Sequence, residues 1–302
     1  MEPIIFLGKE IYINPVALEF GTIKIYWYGI IIVAGIILAL LLLKQRMKDD
    51  LKIEKDNLPN KTFKNSGLKS DKCINSLTFD IVIDYLVGAI VIGFASARLY
   101  YVLFNLDYYL KNPIEMFMIW NGGIAIYGGV IGAILYGIYF CKKKKINFYD
   151  LADLLTPYLI LVQSIGRWGN FINREAYGYE TSLPWKMGVY KSAIHDYIYV
   201  HPTFLYESIL TFLSFLFLVN LSKKQKFKGQ IFYLYMILYG VIRFFIEGLR
   251  TDSLMLANFR ISQVLSLVFV VIFGIIYYMK AKGRRNVEKS SWHLFQFTVK
   301  LN

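Results

Sequence analysis

The sequence has few of the residues on which disulfide, metal and hydrolase chemistry depend. It has two cysteines, Cys73 and Cys141. Both fall in segments that we predict to be cytoplasmic, so we expect neither a disulfide nor a thiolate metal site. Ser164 and His201 are present, but a GxSxG elbow and an HExxH pair are not, which argues against an intramembrane hydrolase or protease. The sequence therefore predicts no metal and no cofactor.

Apolar residues, in contrast, are abundant. The chain is 56% hydrophobic and includes 24 Tyr and 23 Phe. Several apolar runs approach the ~20 residues that a helix needs to cross a bilayer, and they are too long for the strands of a membrane barrel. We predict spans at about 25–43, 79–104, 123–140, 150–166, 203–220, 230–247 and 261–279. The sequence thus indicates an all-α polytopic membrane protein with about seven transmembrane helices, in a single integral membrane domain over residues 1–302.

Clusters of lysine and arginine predict the orientation of these spans. Nine lie in 44–78, four form the KKKK run at 142–145, four lie in 221–229 and six lie in 280–302. All four clusters fall on one side, and the positive-inside rule puts the N-terminus outside and the C-terminus in the cytoplasm, which requires an odd number of spans. We expect 44–78 to be a flexible polar cytoplasmic loop and 280–302 to be a cytoplasmic tail.

The net charge of +13 does not indicate nucleic-acid binding. The four cytoplasmic clusters contain 23 of the 34 cations, where they set topology and meet anionic lipid headgroups. The 24 residues before the first span show no cleavable signal pattern, so we expect that span to remain as an anchor. No fixed-period repeat and no pair of matching broken helices, which mark many transporters, is visible in the sequence.

Ionisable residues in or near the spans are costly in a membrane, so each is a functional candidate. They are Asp84, Arg98, Asp153, Glu207, Arg243 and Glu247. Arg243 and Glu247 are four residues apart on one helical face, where they can share a salt bridge or line one cavity. The predicted topology puts Arg98, Glu207, Arg243 and Glu247 towards the outer leaflet. An outer-facing cavity lined by guanidinium groups suits an anionic headgroup, and purely structural ion pairing is the alternative.

Two glycine-rich segments lie on the same predicted side. The first, GRWGNFINREAYG at 166–178, combines Arg167 with asparagines that can bind hydroxyl or ester groups, and its glycines can admit close backbone approach or positive φ. The second, NGGIAIYGGVIGA at 121–133, contains Tyr127. Its glycines equally suit close packing between membrane helices, and both interpretations stay open.

GRWGNFINREAYG resembles the signature of the bacterial prolipoprotein diacylglyceryl transferase family, also named phosphatidylglycerol--prolipoprotein diacylglyceryl transferases. Further segments are similar to that family in the same order: WYG at 27–29, ARLYYVLF at 97–104, NGGIAIYGG at 121–129, HPTFLYE at 201–207 and YGVIRFFIEGLRTD at 239–252. The resemblance implies a multi-pass transferase of the bacterial cytoplasmic (inner) membrane. Such an enzyme transfers diacylglycerol from phosphatidylglycerol to the lipobox cysteine of a prolipoprotein, forms a thioether and releases glycerol phosphate in the first step of lipoprotein maturation.

Matching the motifs residue by residue implies roles at this site. Arg167 would bind the phosphate, Arg243 would stabilise the leaving group and Glu247 would position Arg243. The resemblance implies catalytic roles for Arg243, Tyr127, Glu175 and Glu247. It implies substrate binding by Arg167, Asn170, Asn173, Gly178, Tyr28, Tyr239 and Arg98, although tyrosines at a membrane interface also form ordinary aromatic belts.

The general base is where this sequence departs from the family. Many members carry a histidine where this chain has Tyr127, and a neutral tyrosine with a reference pKa of ~10 is a poor base at neutral pH. Glu175, Glu247 and water are the alternatives, while His201 before Pro202 is more typical of a structural residue. A transporter or flippase of an anionic lipid or solute is the second functional interpretation.

Overall fold

The computed structural model describes residues 2–21, 23–56, 77–118, 122–253, 255–256 and 259–300. Most of the predicted loop 44–78 lies outside the described residues, as does Cys73. The chain forms two compact units, Met1–Leu43 with Ala152–Asn302 and Lys44–Leu151. Helices dominate both. They are α1 (Trp27–Asp56), α2 (Phe79–Phe104), α3 (Leu106–Lys111), a 3-10 helix (Pro113–Phe117), α4 (Ile126–Lys144), α5 (Phe148–Asn173), α6 (Thr203–Ser222), α7 (Gln230–Leu249) and α8 (Ile261–Lys300).

Five helices in the described part of the chain are long and apolar enough to cross a membrane. The qualifying stretches are Trp27–Asp50, Phe79–Phe104, Thr203–Ser222, Gln230–Leu249 and Ile261–Arg284. They match five of the predicted spans. The other two predicted spans correspond to α4, which carries lysines at its end, and α5, which carries charges along its length. The count of seven spans therefore stays a prediction.

The prediction of an all-α fold was incomplete, because the described residues also include eight short strands. These are β1 (Ile4–Phe6), β2 (Lys9–Ile11), β3 (Val16–Phe20), β4 (Ile23–Tyr26), β5 (Met187–Lys191), β6 (Asp196–Val200), β7 (Met255–Leu256) and β8 (Phe259–Arg260). A four-stranded sheet has the order β2-β1-β5-β6, with each pair antiparallel, and β3–β4 and β7–β8 form separate pairs. All eight strands lie before α1 or in segments between later helices.

The four-stranded sheet is joined to α5 and α6 by an apolar core. Its buried members are Ile4, Phe171, Met187, Val189, Ile198, Val200 and Phe204. The rings of Phe171, near the end of α5, and Phe204, at the start of α6, are 4.8 Å apart between centroids. Phe6 packs edge-on against Phe171 at 5.6 Å. Since aromatic contacts of this kind add to burial, the sheet fixes the ends of the two helices relative to each other.

A buried carboxylate holds the start of α7. Asp153 of α5 accepts hydrogen bonds from the backbone N–H of Gly229 at 2.5 Å and of Phe232 at 2.8 Å, and from the side chain of Gln225 at 2.5 Å. The first N–H groups of a helix lack partners within the helix and carry partial positive charge, so an anion there is stabilising. Asp153, singled out in the sequence as a costly charge, thus has a structural role.

In the second unit, α2 and α4 pack through glycines. A Cβ added to Gly128 would lie 2.6 Å from the backbone oxygen of Ser96, and one added to Gly132 would overlap the Ser96 side chain. Contacts this close require the absence of a side chain, as in small-residue packing of membrane helices. The packing interpretation of these two glycines is therefore the one that the structure supports.

Candidate functional site

A chain of ion pairs joins α5, α6 and α7 inside the first unit. Arg167 Nη2 on α5 lies 2.6 Å from Glu207 Oε1 on α6. The second oxygen of Glu207 lies 3.3 Å from Nη1 of Arg243 on α7, whose Nη2 is 2.5 Å from Glu247 Oε2. Glu207 therefore bridges two arginines that are 76 positions apart, and this arrangement required the three helices to be brought together.

The local part of this cluster follows from helical geometry. Residues four apart lie on the same face of a helix, so Arg243 and Glu247 meet one turn apart on α7, and the predicted salt bridge is confirmed. Tyr239, one turn earlier on the same face, lies beside Arg167, Arg243 and Glu207. Tyr239, Arg167 and Arg243, which the family motifs imply as site residues, therefore lie at one location.

The carboxylates of the cluster are buried and the guanidinium groups are partly open. The side chains of Glu207 and Glu247 are 2% and 3% exposed, whereas those of Arg167 and Arg243 are 20% and 17% exposed. Two cations and two anions give the four groups no formal net charge. The accessible part of the cluster is cationic, because the arginines lie in front of the carboxylates.

The end of α5 presents a second set of polar contacts. Nδ2 of Asn170 donates to Glu175 Oε1 at 2.8 Å, and Nδ2 of Asn173 donates to the same oxygen at 3.2 Å. Arg167 reaches Asn170 Oδ1 at 3.4 Å, which links this set to the ion-pair cluster. The buried Oδ1 of Asn173 accepts no hydrogen bond from the described residues. These contacts connect four predicted site residues, Arg167, Asn170, Asn173 and Glu175. Oδ1 of Asn173 is left to accept a hydrogen bond from a ligand.

Gly169 and Gly178 of this segment serve close packing, and neither has the positive φ that was the alternative use predicted for the glycines. A Cβ on Gly169 would overlap the ring of Tyr28. A Cβ on Gly178 would lie 2.8 Å from His201 Cβ and 3.0 Å from the backbone oxygen of Leu249. Positive φ occurs instead at two residues that are not glycine, Arg174 and Ala176. Close packing at Gly169 places Tyr28 against α5.

Residues 15–279 match the sequence model of the family described as Prolipoprotein diacylglyceryl transferase. The chain belongs to the prolipoprotein diacylglyceryl transferase family. It is 43% identical to the phosphatidylglycerol--prolipoprotein diacylglyceryl transferase of Listeria welshimeri over 277 residues, which cover 89% of this chain and 91% of that protein. It is also 43% identical to the proteins of the same name from Clostridium novyi, over 89% of this chain and 96% of that protein, and Finegoldia magna, over 91% and 98%.

Not all site residues that the transferase family implies lie in the same unit. Tyr127, half-exposed in the first turn of α4, and Arg98, buried in α2, belong to the second unit. Arg98 donates to the backbone oxygens of Glu115, Met116, Gly122 and Gly123 at 2.5–2.9 Å. A guanidinium engaged by four carbonyls anchors the loop before α4, which favours a structural role over the predicted binding of substrate.

Other arginines of the transferase fix segments that lie outside its helices. Arg174 donates to the backbone oxygens of Glu2 at 3.0 Å and Ile13 at 3.3 Å, and so holds the N-terminal strands. Arg250 forms a two-pronged pair with Asp252, with contacts of 2.9 and 2.7 Å. The hydrogen bond and charge of Arg250 lower the pKa of Asp252 below its ordinary value, despite partial burial. The sequence analysis missed these contacts, because the partners are two backbone oxygens and one carboxylate in a loop.

His201 has structural partners. Its Nδ1 lies 3.2 Å from the hydroxyl of Tyr206, which accepts a hydrogen bond from Trp185 Nε1 at 2.7 Å. Its backbone oxygen accepts from Gly178 N at 3.0 Å, and its backbone N–H donates to Tyr179 at 2.9 Å. His201 therefore ties the signature segment to the start of α6, in agreement with the structural interpretation.

An open apolar groove of about 730 Å³ follows α1. Its lining includes Tyr28, Gly29, Val33 and Ile37, and Asn173 is its polar contribution from α5. The groove therefore meets the polar residues at the end of α5 at Asn173.

Proposed function

We propose that the chain transfers the diacylglyceryl group of phosphatidylglycerol to the lipobox cysteine of a prolipoprotein, forms a thioether and releases glycerol phosphate. The observation that carries the location of the site is the shared contact of Arg167 and Arg243 with Glu207. Family membership supports the reaction, because relatives that match over most of their length bear that name. Phosphatidylglycerol and prolipoprotein are thus the two substrates.

Arg167 and Arg243 hold the phosphate in this proposal. Arginine keeps its charge when buried and offers a planar pair of donors that matches two phosphate oxygens. Both guanidinium groups are partly exposed in front of buried carboxylates, which leaves donor edges for a ligand. Arg167 binds the phosphate before reaction, and Arg243 stabilises the additional negative charge of the departing glycerol phosphate. Glu247, 2.5 Å from Arg243, keeps that arginine in position.

The end of α5 holds the glycerol headgroup. The unpaired Oδ1 of Asn173 can accept a hydrogen bond from a glycerol hydroxyl, and Asn170 and Glu175 extend the polar surface. Gly178 keeps the segment close to α7, while Tyr28 and Tyr239 add polar contacts from α1 and α7.

Tyr127 donates a hydrogen bond during the reaction, since its hydroxyl is a poor base at neutral pH. Arg98 remains a predicted substrate-binding residue, although its contacts support a role in the loop.

The chain crosses the bacterial cytoplasmic membrane seven times with its N-terminus outside, so that the site faces the outer leaflet. The lysines at the end of α4 support this orientation by the positive-inside rule.

A turnover assay tests the proposed function. The purified protein is given labelled phosphatidylglycerol and a lipobox peptide, and the thioether product and glycerol phosphate are measured together. We expect equimolar products with the cysteine peptide and none with the matched serine peptide, because a hydroxyl is a weaker nucleophile. Lipid or solute flux in proteoliposomes without a covalent product would instead favour the transporter interpretation.

A further inference from the structure

We infer that Glu207 accepts the proton of the cysteine thiol, an inference that rests on the proposed phosphate site at Arg167 and Arg243. The reaction needs such a group, since a thiol with a reference pKa of ~8.5 is only a few per cent ionised at neutral pH. Glu207 is the carboxylate that touches both arginines, and its side chain is 2% exposed.

The charge balance of the cluster gives the first argument. Arg167 and Arg243 are matched by Glu207 and Glu247, so a bound phosphodiester makes the five groups net negative. Arg167 is the more exposed arginine, and its ion pair in the described part of the chain is with Glu207, whereas Arg243 pairs with Glu207 and Glu247. When its guanidinium turns to the phosphate, Glu207 stays buried with one cation fewer. An underpaired buried carboxylate is costly, and taking up a proton removes that cost.

The geometry of Glu207 gives the second argument. Its Oε1 is 2.6 Å from Arg167 Nη2, but no donor in the described ranges forms a hydrogen bond of acceptable angle with it. Its Oε2 accepts from Arg243 at 3.3 Å. Arg243 thus keeps its hydrogen bond to Oε2 when phosphate binds. Oε1 is held only by its ion pair with Arg167, which the phosphate displaces.

The other candidate bases are less suitable. Glu175 is exposed and accepts from two asparagines. Glu247 is paired with Arg243 on its own helix, and phosphate binding to Arg167 leaves that pair unchanged. The titratable and charged groups that face Glu207 are Arg167 from α5, Tyr239, Arg243 and Glu247 from α7, and Arg250 after α7.

The step balances without another reactant. The S–H bond breaks and its proton moves to Oε1 of Glu207, while the sulfur electron pair forms a bond to the glycerol carbon that bears the phosphate. The C–O bond breaks and its electrons stay on the phosphate oxygen. The proton then passes from Glu207 to that oxygen, which regenerates the carboxylate and lets Arg167 return.

The test compares Glu207→Gln with the wild type at several pH values. The amide has the same shape but takes no proton, so we expect transfer at pH 7 to fall about 10²-fold, as is common on loss of a general base. The remaining rate should rise about tenfold per pH unit up to pH ~8.5, since the thiol then ionises without help. A lipobox peptide with selenocysteine, whose selenol is ionised at neutral pH, should remove most of the deficit.

Two variants make the outcome decisive. Glu247→Gln removes a carboxylate of the same cluster, and any loss it causes should be equal for the cysteine and selenocysteine peptides. Glu207→Asp keeps an acid set back by one methylene, so it should slow the cysteine peptide more than the selenocysteine peptide even if Glu207→Gln does not fold. Equal slowing of both peptides in the Glu207 variants would overturn the inference. Phosphatidylglycerol binding, measured in parallel, separates this failure from that of the phosphate site, which predicts weaker binding for Arg167→Ala.

Discussion

The contact between Gly169 of α5 and the ring of Tyr28 on α1 gives a direct test of how the signature is packed. A Cβ at residue 169 would overlap Cδ2 of the ring and lie 2.7 Å from Cε2 and 3.0 Å from Cγ. A methyl group therefore needs the ring to move away from α5. Tyr28 borders the open groove, so the ring has space to move there.

The expected magnitude for Gly169→Ala combines two opposite effects. Alanine favours a helix over glycine by up to ~1 kcal/mol, whereas overpacking costs ~1–3 kcal/mol. We expect a net loss of about 1 kcal/mol in unfolding free energy. Displacing Tyr28 from the headgroup site should also lower transfer about tenfold, the equivalent of one lost hydrogen bond of ~1.4 kcal/mol.

Gly166→Ala is the matched control on the same helix. Its added Cβ would lie 3.8 Å from Ile32 Cγ1, an ordinary contact. This variant should keep wild-type transfer and gain up to ~1 kcal/mol in stability. Denaturation in detergent and the labelled-lipid assay measure both effects. Equal stability and equal activity for the two alanine variants would show that the contact with Tyr28 is not as described.

Three further substitutions have defined outcomes. Asp153→Asn should lower the unfolding free energy by ~1–3 kcal/mol, because backbone N–H groups at the start of α7 lose a charged acceptor. The control, Asp84→Asn, removes an exposed 3.4 Å ion pair. It should change the unfolding free energy by less than ~0.5 kcal/mol in the same denaturation assay. Because the pKa of Asp252 is lowered, its pair with Arg250 stabilises the protein at neutral pH and loses this effect as the pH falls below ~4. The unfolding free energy of the wild type should therefore fall in this acid range by the contribution of the pair, and that of Asp252→Asn should not. Tyr127→Phe should slow transfer about tenfold with a wild-type pH profile, since a donor is lost but the proton acceptor remains; a full rate would exclude Tyr127 as an essential donor.

The helices could be predicted because their signal is local. The span predicted at 79–104 coincides with α2, and four more predicted spans coincide with helices that qualify as membrane spans. The sheet could not be predicted in the same way. β1 has three residues, and its partner Gly188 is more than 180 positions from Ile5. Pairing of this kind depends on tertiary structure and leaves no periodic pattern in such short segments.

The same distinction applies to the site. The salt bridge of Arg243 and Glu247 follows from their spacing on a helix. The bridging position of Glu207 could not be deduced, because it depends on the packing of three helices. Arg98 shows the converse case: its charge marked it as a ligand-binding candidate, and its hydrogen bonds to four backbone oxygens could not be read from the sequence.

Equilibrium binding of phosphatidylglycerol to the purified protein tests the central claim most directly. Arg167→Ala and Arg243→Ala should each weaken binding by tenfold or more, since a charge-assisted hydrogen bond contributes ~1.5–3 kcal/mol. Arg174→Ala is the control from the same signature, because Arg174 donates to backbone oxygens of the N-terminal segment and should leave binding unchanged. Wild-type affinity in both Arg167→Ala and Arg243→Ala would contradict the account.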